Sequence, residues 1–151
     1  MRTILAGIGI LFLALAGYFA ASHYAGNKGV ARVVSIDDCD PGMAKCRSKL
    51  QDGTVIWFSI SPRPIPLMKP LRVVVEVDGA GYVPNRLDIT GLNMEMGLNR
   101  TSLQPDTNSR WTGETILPIC SQRRMHWQAA LRLDVGGEQL QLLYRFHTNR
   151  P

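Results

Sequence analysis

The sequence predicts an all-β domain, an antiparallel β-sandwich of immunoglobulin or cupredoxin type, behind one apolar N-terminal transmembrane helix. Three observations lead there. Short runs rich in Val, Ile, Thr and aromatic residues alternate apolar and polar side chains, the period of a half-buried strand. Fourteen glycines and nine prolines in 151 residues supply many turns. After residue 25 no stretch holds apolar residues at the 3.6-residue spacing of a long helix. Hydrophobic residues make up 45% of the chain and charged residues 19%, which excludes a disordered charged tail as its main body. The net charge of +5 is modest and spread along the chain, so it does not by itself indicate a nucleic-acid partner.

Residues 1–25 read as a signal-anchor and 26–151 as one exported domain. From Ile4 to Ala21 the chain is an unbroken run of apolar and small residues, at the lower edge of what crosses ~30 Å of hydrocarbon. Tyr18 and Tyr24 stand near its far end, where interfacial aromatics are favoured, and Arg2 precedes it. The positive-inside rule leaves the N-terminus in the cytoplasm and exports the rest. A cleaved signal peptide, with Ala20-Ala21-Ser22 as its site, is the competing reading; the run is longer than a usual signal core.

Strands follow in order: Val30–Asp37, Thr54–Ile60, Leu71–Asp78, Asn85–Thr90, Met94–Leu98, Trp111–Leu117, Met125–Val135 and Gln139–Thr148. The last two alternate best and flank Gly136-Gly137, which reads as a hairpin turn. Between Ser61 and Pro70 four prolines forbid a central strand, so that segment reads as an extended crossover along an edge.

Cys39 and Cys46 bracket a Pro-Gly turn, and in an oxidising compartment a disulfide closing this short loop is the plain expectation. A zinc pair at this spacing is weaker, because such sites use closer cysteines and further ligands. Cys120 is left over. Near it lie soft donors: Met94-Glu95-Met96, where a strand period of two puts both thioethers on one face, and Met125-His126-Trp127. Cu(I) prefers thiolate and thioether ligands, so Met94, Met96, Cys120 and Met125 form a candidate Cu(I) site, with Arg100 or Trp127 as supporting or shielding groups. Against this, methionine is a common core filler and a lone cysteine a common buried hydrophobe, so any one of these sulfurs taken singly reads as packing. A blue-copper site is the weaker reading: it needs two histidines, a cysteine and a weak axial ligand, only His126 and His147 lie in the folded part, and the usual Cys-then-His spacing is missing; His126 alternates with Trp127 and reads as solvent-facing.

Other chemistries lack their residues. There is no Gly-x-Ser-x-Gly, His-Glu-x-x-His, phosphate-loop or Cys-x-x-Cys pattern. Asp37, Asp38 and Asp40 read as a solvated turn. Arg123-Arg124 beside Trp127 could touch nucleic acid, but the compartment argues against it. Asn99-Arg100-Thr101 matches the glycosylation triplet, a frequent chance event.

The Cys39…Cys46 turn, Ile60-Ser-Pro-Arg-Pro-Ile-Pro66, Met94-x-Met96-Gly97-x-Asn99-Arg100 and Leu117-Pro-x-Cys120…Met125-x-Trp127 together cover most of the exported part. On these motifs the chain resembles a family of uncharacterised single-pass envelope proteins of proteobacteria. The resemblance implies an inner-membrane protein with a periplasmic C-terminal β-domain. In general plan it looks like the anchored domains that accompany copper handling and haem–copper oxidase assembly. It lacks the His/Met-rich signature of envelope copper chaperones and the Cys-x-x-x-Cys pair of thioredoxin-like assembly factors. The expected function is therefore a non-enzymatic Cu(I)-binding accessory protein, with the inner membrane and a copper-dependent membrane complex as partners and no nucleic acid. The alternative is a metal-free interaction or scaffold module whose sandwich edge docks a membrane protein. A third reading gives Cys39 and Cys46 thiol redox work.

Overall fold

The computed structural model describes residues 14–18 and 32–150. The chain divides into two compact units, Met1–Val30 and Ala31–Pro151. In the first, residues 14–18 are helical, and most of the expected membrane-spanning segment lies outside the described residues. Among the described residues no helix is long and apolar enough to cross a membrane.

The second unit is all-β. Its strands are β1 (Arg32–Ile36), β2 (Cys46–Lys49), β3 (Val55–Ser61), β4 (Pro70–Asp78), β5 (Tyr82–Gly91), β6 (Asn99–Ser102), β7 (Gln104–Thr107), β8 (Arg110–Ile116), β9 (Arg124–Val135) and β10 (Glu138–Asn149). They form two five-stranded sheets, ordered β1-β10-β9-β5-β6 and β2-β3-β4-β8-β7. All pairings are antiparallel except β1 with β10, which is parallel.

Period-two burial builds the sandwich. Ile56, Phe58 and Ile60 of β3 and Leu71, Val73, Val75 and Val77 of β4 turn inward from the second sheet. Leu131 and Leu133 of β9 and Leu140, Leu142 and Tyr144 of β10 meet them from the first. The two layers touch directly, with the Phe58 and Tyr144 rings 4.7 Å apart between centroids and the Tyr144 hydroxyl 2.8 Å from Ser48 Oγ. The β9–β10 hairpin turns on Gly136 and Gly137 at φ 56° and 86°. A two-residue turn that follows the strand twist requires positive φ at both positions, which glycine adopts without strain.

Seven of the eight expected strands are present, with ends moved by a residue or two at most positions. β5 begins three residues early, at Tyr82. The exception is Met94–Leu98, which is a loop: Glu95 Oε1 accepts the Gly97 N–H at 3.1 Å and Gly97 sits at φ 70°. β2, β6 and β7 were not expected. All are four residues long and lie at sheet edges, and β6 and β7, Asn-Arg-Thr-Ser and Gln-Pro-Asp-Thr, lack the apolar alternation that a covered strand needs. Residues 61–70 do not cross over an edge. They close the antiparallel pair β3–β4, in which Ser61 faces Arg72.

Cys39 and Cys46 form the expected disulfide. Asp40 shapes the loop between them, its carboxylate accepting the Gly42 N–H at 2.7 Å and its carbonyl the N–H groups of Met43 and Ala44.

Burial pushes the Tyr144 phenol up to about 12, and its hydrogen bond with Ser48 offsets part of the rise. A raised folded-state value means the neutral ring contributes fully below its ordinary value of 10.0 and the contribution is lost as pH climbs through 12. The expected loss is about 2–3 kcal/mol between pH 9 and 12. Urea unfolding across that range checks it; Tyr144→Phe should start less stable and flatten the alkaline decline.

Candidate functional site

Strand direction gathers the sulfur-bearing loops at one end of the sandwich. β5 finishes at Gly91 opposite Trp127, near the start of β9, and β10 finishes beside Arg124. In the other sheet β4 starts at Pro70 opposite Ile116, the end of β8, whose chain then continues through 117–123 into β9. The three-residue link 79–81 ties the opposite ends of β4 and β5 together. The loops 37–45, 62–69, 92–98 and 117–123 therefore share one end. β1 begins at the other, since Arg32 pairs with Leu140 just past the β9–β10 turn.

Asn93 fixes the first sulfur loop onto β9. Its Nδ2 donates to the Arg124 carbonyl and its Oδ1 accepts from the His126 N–H, both at 2.9 Å, so one amide brackets Met125. The Leu92 N–H adds a bond of 2.8 Å to the His126 carbonyl. An asparagine carboxamide offers a donor and an acceptor at the spacing of a strand neighbour, which is why it extends the ladder here. Met94 and Met96 follow directly.

Gly91 is where the side chains of Met125 and Met96 approach the backbone of Met94. A Cβ built there would collide with the Met125 methyl and the Met94 carbonyl oxygen and lie 3.3 Å from Cγ of Met96. Met125 is 2% exposed, while Met94, Met96 and Cys120 are half-buried and packed on the core that contains it. The Cys120 loop reaches Met94, since Ser121 Oγ donates to Met94 Sδ at 3.7 Å. Cys120 is a free thiol whose Sγ lies 3.8 Å from the Gln122 carbonyl. Turn geometry, not a strand period, thus brings Met94 and Met96 to one side.

The supporting residues separate. Trp127 is 1% exposed, donates its indole N–H to Thr148 Oγ1 at 2.9 Å and stacks on Phe146, walling the core next to Met125. Arg100 is not at the sulfurs. The β6 register sets it opposite Asp88 on the outer face of the first sheet, where it forms an ion pair. His126 is exposed on that same outer face, opposite to Met125.

Met68 was missed by reasoning from sequence. Its N–H donates to the Leu117 carbonyl at 2.8 Å, three residues before Cys120, and it holds φ 57°, a left-handed conformation that costs a non-glycine residue roughly 1–2 kcal/mol. Its side chain is 63% exposed. Nothing in the proline-rich segment signals this pairing, which arises from tertiary contact between two loops.

A cleft of about 510 Å³ opens at the same end, between Ile65, Pro66, Leu67 and the end of β10, with Met43 on its rim. His147 Nδ1 on its wall lies 3.4 Å from Asp40 Oδ2. None of Met94, Met96, Cys120 or Met125 lines it. Among the described residues no group of three or more His, Cys, Asp or Glu is arranged to hold a metal ion. A set of three thioethers and one thiol belongs to a different donor class, suited to soft ions. Compared with protein-family models, curated proteins and solved structures, the chain finds no match in any of the three.

Proposed function

We propose that the protein is a membrane-anchored periplasmic accessory protein that binds one Cu(I), with Met94, Met96, Cys120 and Met125 as ligands and no catalytic role of its own. The observation that carries this reading is the crowding of two thioether side chains over Gly91, with the Cys120 loop bonded to the third thioether through Ser121. Soft, polarisable sulfur donors favour Cu(I) over harder ions, and low coordination suits a site made of one thiol and flexible thioethers. The apolar run Ile4–Ala21 supports the anchor, and the Cys39–Cys46 disulfide belongs to an oxidising compartment. The finer assignment of the sandwich to an immunoglobulin- or cupredoxin-like type rests on its two five-stranded layers and its parallel first-to-last strand pairing.

The test uses the full chain in an uncharged detergent under anaerobic conditions, titrated with Cu(I) against a chromophoric chelator. One Cu(I) per chain is expected, and Cys120→Ser with Met96→Leu should abolish binding. Gly91→Ala keeps every sulfur but intrudes on the side chains of Met125 and Met96, and should weaken binding at least tenfold. Tight binding that survives in the double variant refutes the assignment. The burial of Met125 favours the second reading, a metal-free scaffold module in which these sulfurs only pack. Absence of any Cu(I) binding by the wild type would select it.

A further inference from the structure

The outer face of the first sheet holds a charge arrangement that neither the sulfur site nor the core uses. Asp88 of β5 is 4% exposed although it points away from the sandwich interior. Three arginines cover it. Arg132 Nε donates to Oδ2 at 2.9 Å, Arg100 Nε donates to Oδ1 at 3.0 Å, and Arg86 Nε lies 3.3 Å from Oδ2. The Arg86 Nε is buried without a hydrogen-bond partner.

These arginines are cross-strand neighbours. Arg86 sits directly opposite Arg132, and Arg100 directly opposite Asp88. Like charges facing each other across a ladder normally destabilise a sheet, so a single carboxylate is holding together a cluster that would otherwise repel. Three guanidinium groups bring fifteen N–H donors by their chemistry, whereas one carboxylate offers about four lone-pair sites. The cluster therefore has a surplus of donors and an excess charge of about +2, which a second anion would match. The same face carries Arg124 and Arg145, both exposed, with Asp134 as its other acid. On the second sheet, by contrast, Glu76 is shared by Lys45 and Arg110, and acids and bases nearly balance.

We infer that this face is an oxyanion site, in which Asp88 holds Arg86, Arg100 and Arg132 to receive a phosphate group, whether of a soluble phosphate or of a lipid headgroup. The inference is independent of copper. Arginine fits this role because its planar fork pairs two donors with two phosphate oxygens and remains charged at every physiological pH. Asp88 acts as a strut: it sets the three side chains in place before the ligand arrives and so reduces the ordering cost of binding. The side chains of Arg86, Arg100 and Arg132 are 30%, 51% and 27% exposed, enough to reach a ligand from solvent without leaving the carboxylate.

The experiment reads the arginine Nε–H resonances of the full chain in uncharged detergent micelles. One arm adds inorganic phosphate against chloride at constant ionic strength. The other dopes the micelles with phosphatidylglycerol or with zwitterionic phosphatidylcholine. Phosphate or phosphatidylglycerol should shift the resonances of Arg86, Arg100 and Arg132 at concentrations at least tenfold below chloride or phosphatidylcholine. A response to phosphate assigns a soluble ligand, and a response to phosphatidylglycerol alone assigns a headgroup. Arg100→Gln with Arg132→Gln should cost at least tenfold in affinity, while Arg72→Gln on the second sheet should change nothing. Arg100→Gln alone, at the most exposed member, gives a threefold or greater loss should the double variant not fold. Resonances indifferent to both additives, or variants that bind as the wild type does, overturn the inference.

Discussion

Trp127→Ala is expected to lower unfolding stability by about 4 kcal/mol, near the top of what a single truncation does. The indole is 1% exposed, so its removal opens a cavity that surrounding strands cannot close by small shifts. Its N–H bond to Thr148 Oγ1 is lost as well, leaving a buried hydroxyl without that donor. Phe146, whose ring centroid lies 6.4 Å away, loses its stacking surface. Trp127→Phe should recover about half of the loss, since the ring returns without the hydrogen bond. Urea unfolding of the three proteins measures both. A cost below about 1.5 kcal/mol for alanine would mean that this end of the sandwich is far looser than its burial indicates.

The Cys39–Cys46 bridge should contribute about 2.5 kcal/mol, the entropy of closing so short a loop in the unfolded chain. The wild type unfolded in reductant should show this loss, and Cys39→Ala with Cys46→Ala should show at least as much. Cys46 is fully buried beside Phe58 at the start of β2, so the double variant also loses packing there, and a somewhat larger cost than the wild type in reductant is expected. Thiol–disulfide exchange needs an attacking thiolate to reach a sulfur. The buried side of this bridge therefore favours slow reduction in the folded state over redox cycling. Equal stability with and without reductant would contradict the stabilising role.

The architecture was legible wherever a strand is covered on one face. In β9, Met125, Trp127, Ala129, Leu131 and Leu133 alternate with a set that is polar apart from Ala130, and the structure buries the apolar side. The paired glycines announced their hairpin because positive φ at both turn positions leaves few alternatives. Short edge strands were not legible, because β7 is exposed at every residue and carries no apolar signal to read. The segment 94–98 misled for the opposite reason. Met94 and Met96 have the spacing of one strand face, but a Glu95-to-Gly97 turn produces the same result. The four soft donors were nameable from residue type. The approach of Met125 and Met96 to one another was not, since it depends on Gly91 lacking a Cβ and on Asn93 acting as a surrogate strand residue. The Asp88 cluster was invisible for a related reason: it joins β5, β6 and β9, and only sheet register sets those arginines around one acid.

β1 joins its sheet at the end remote from the methionine and cysteine loops. β10 spans 12 residues, so the two ends stand about 40 Å apart. The strand by which the chain enters this sheet and the loops that carry the soft donors therefore lie a full hairpin length apart, and a substitution near one end leaves the other untouched.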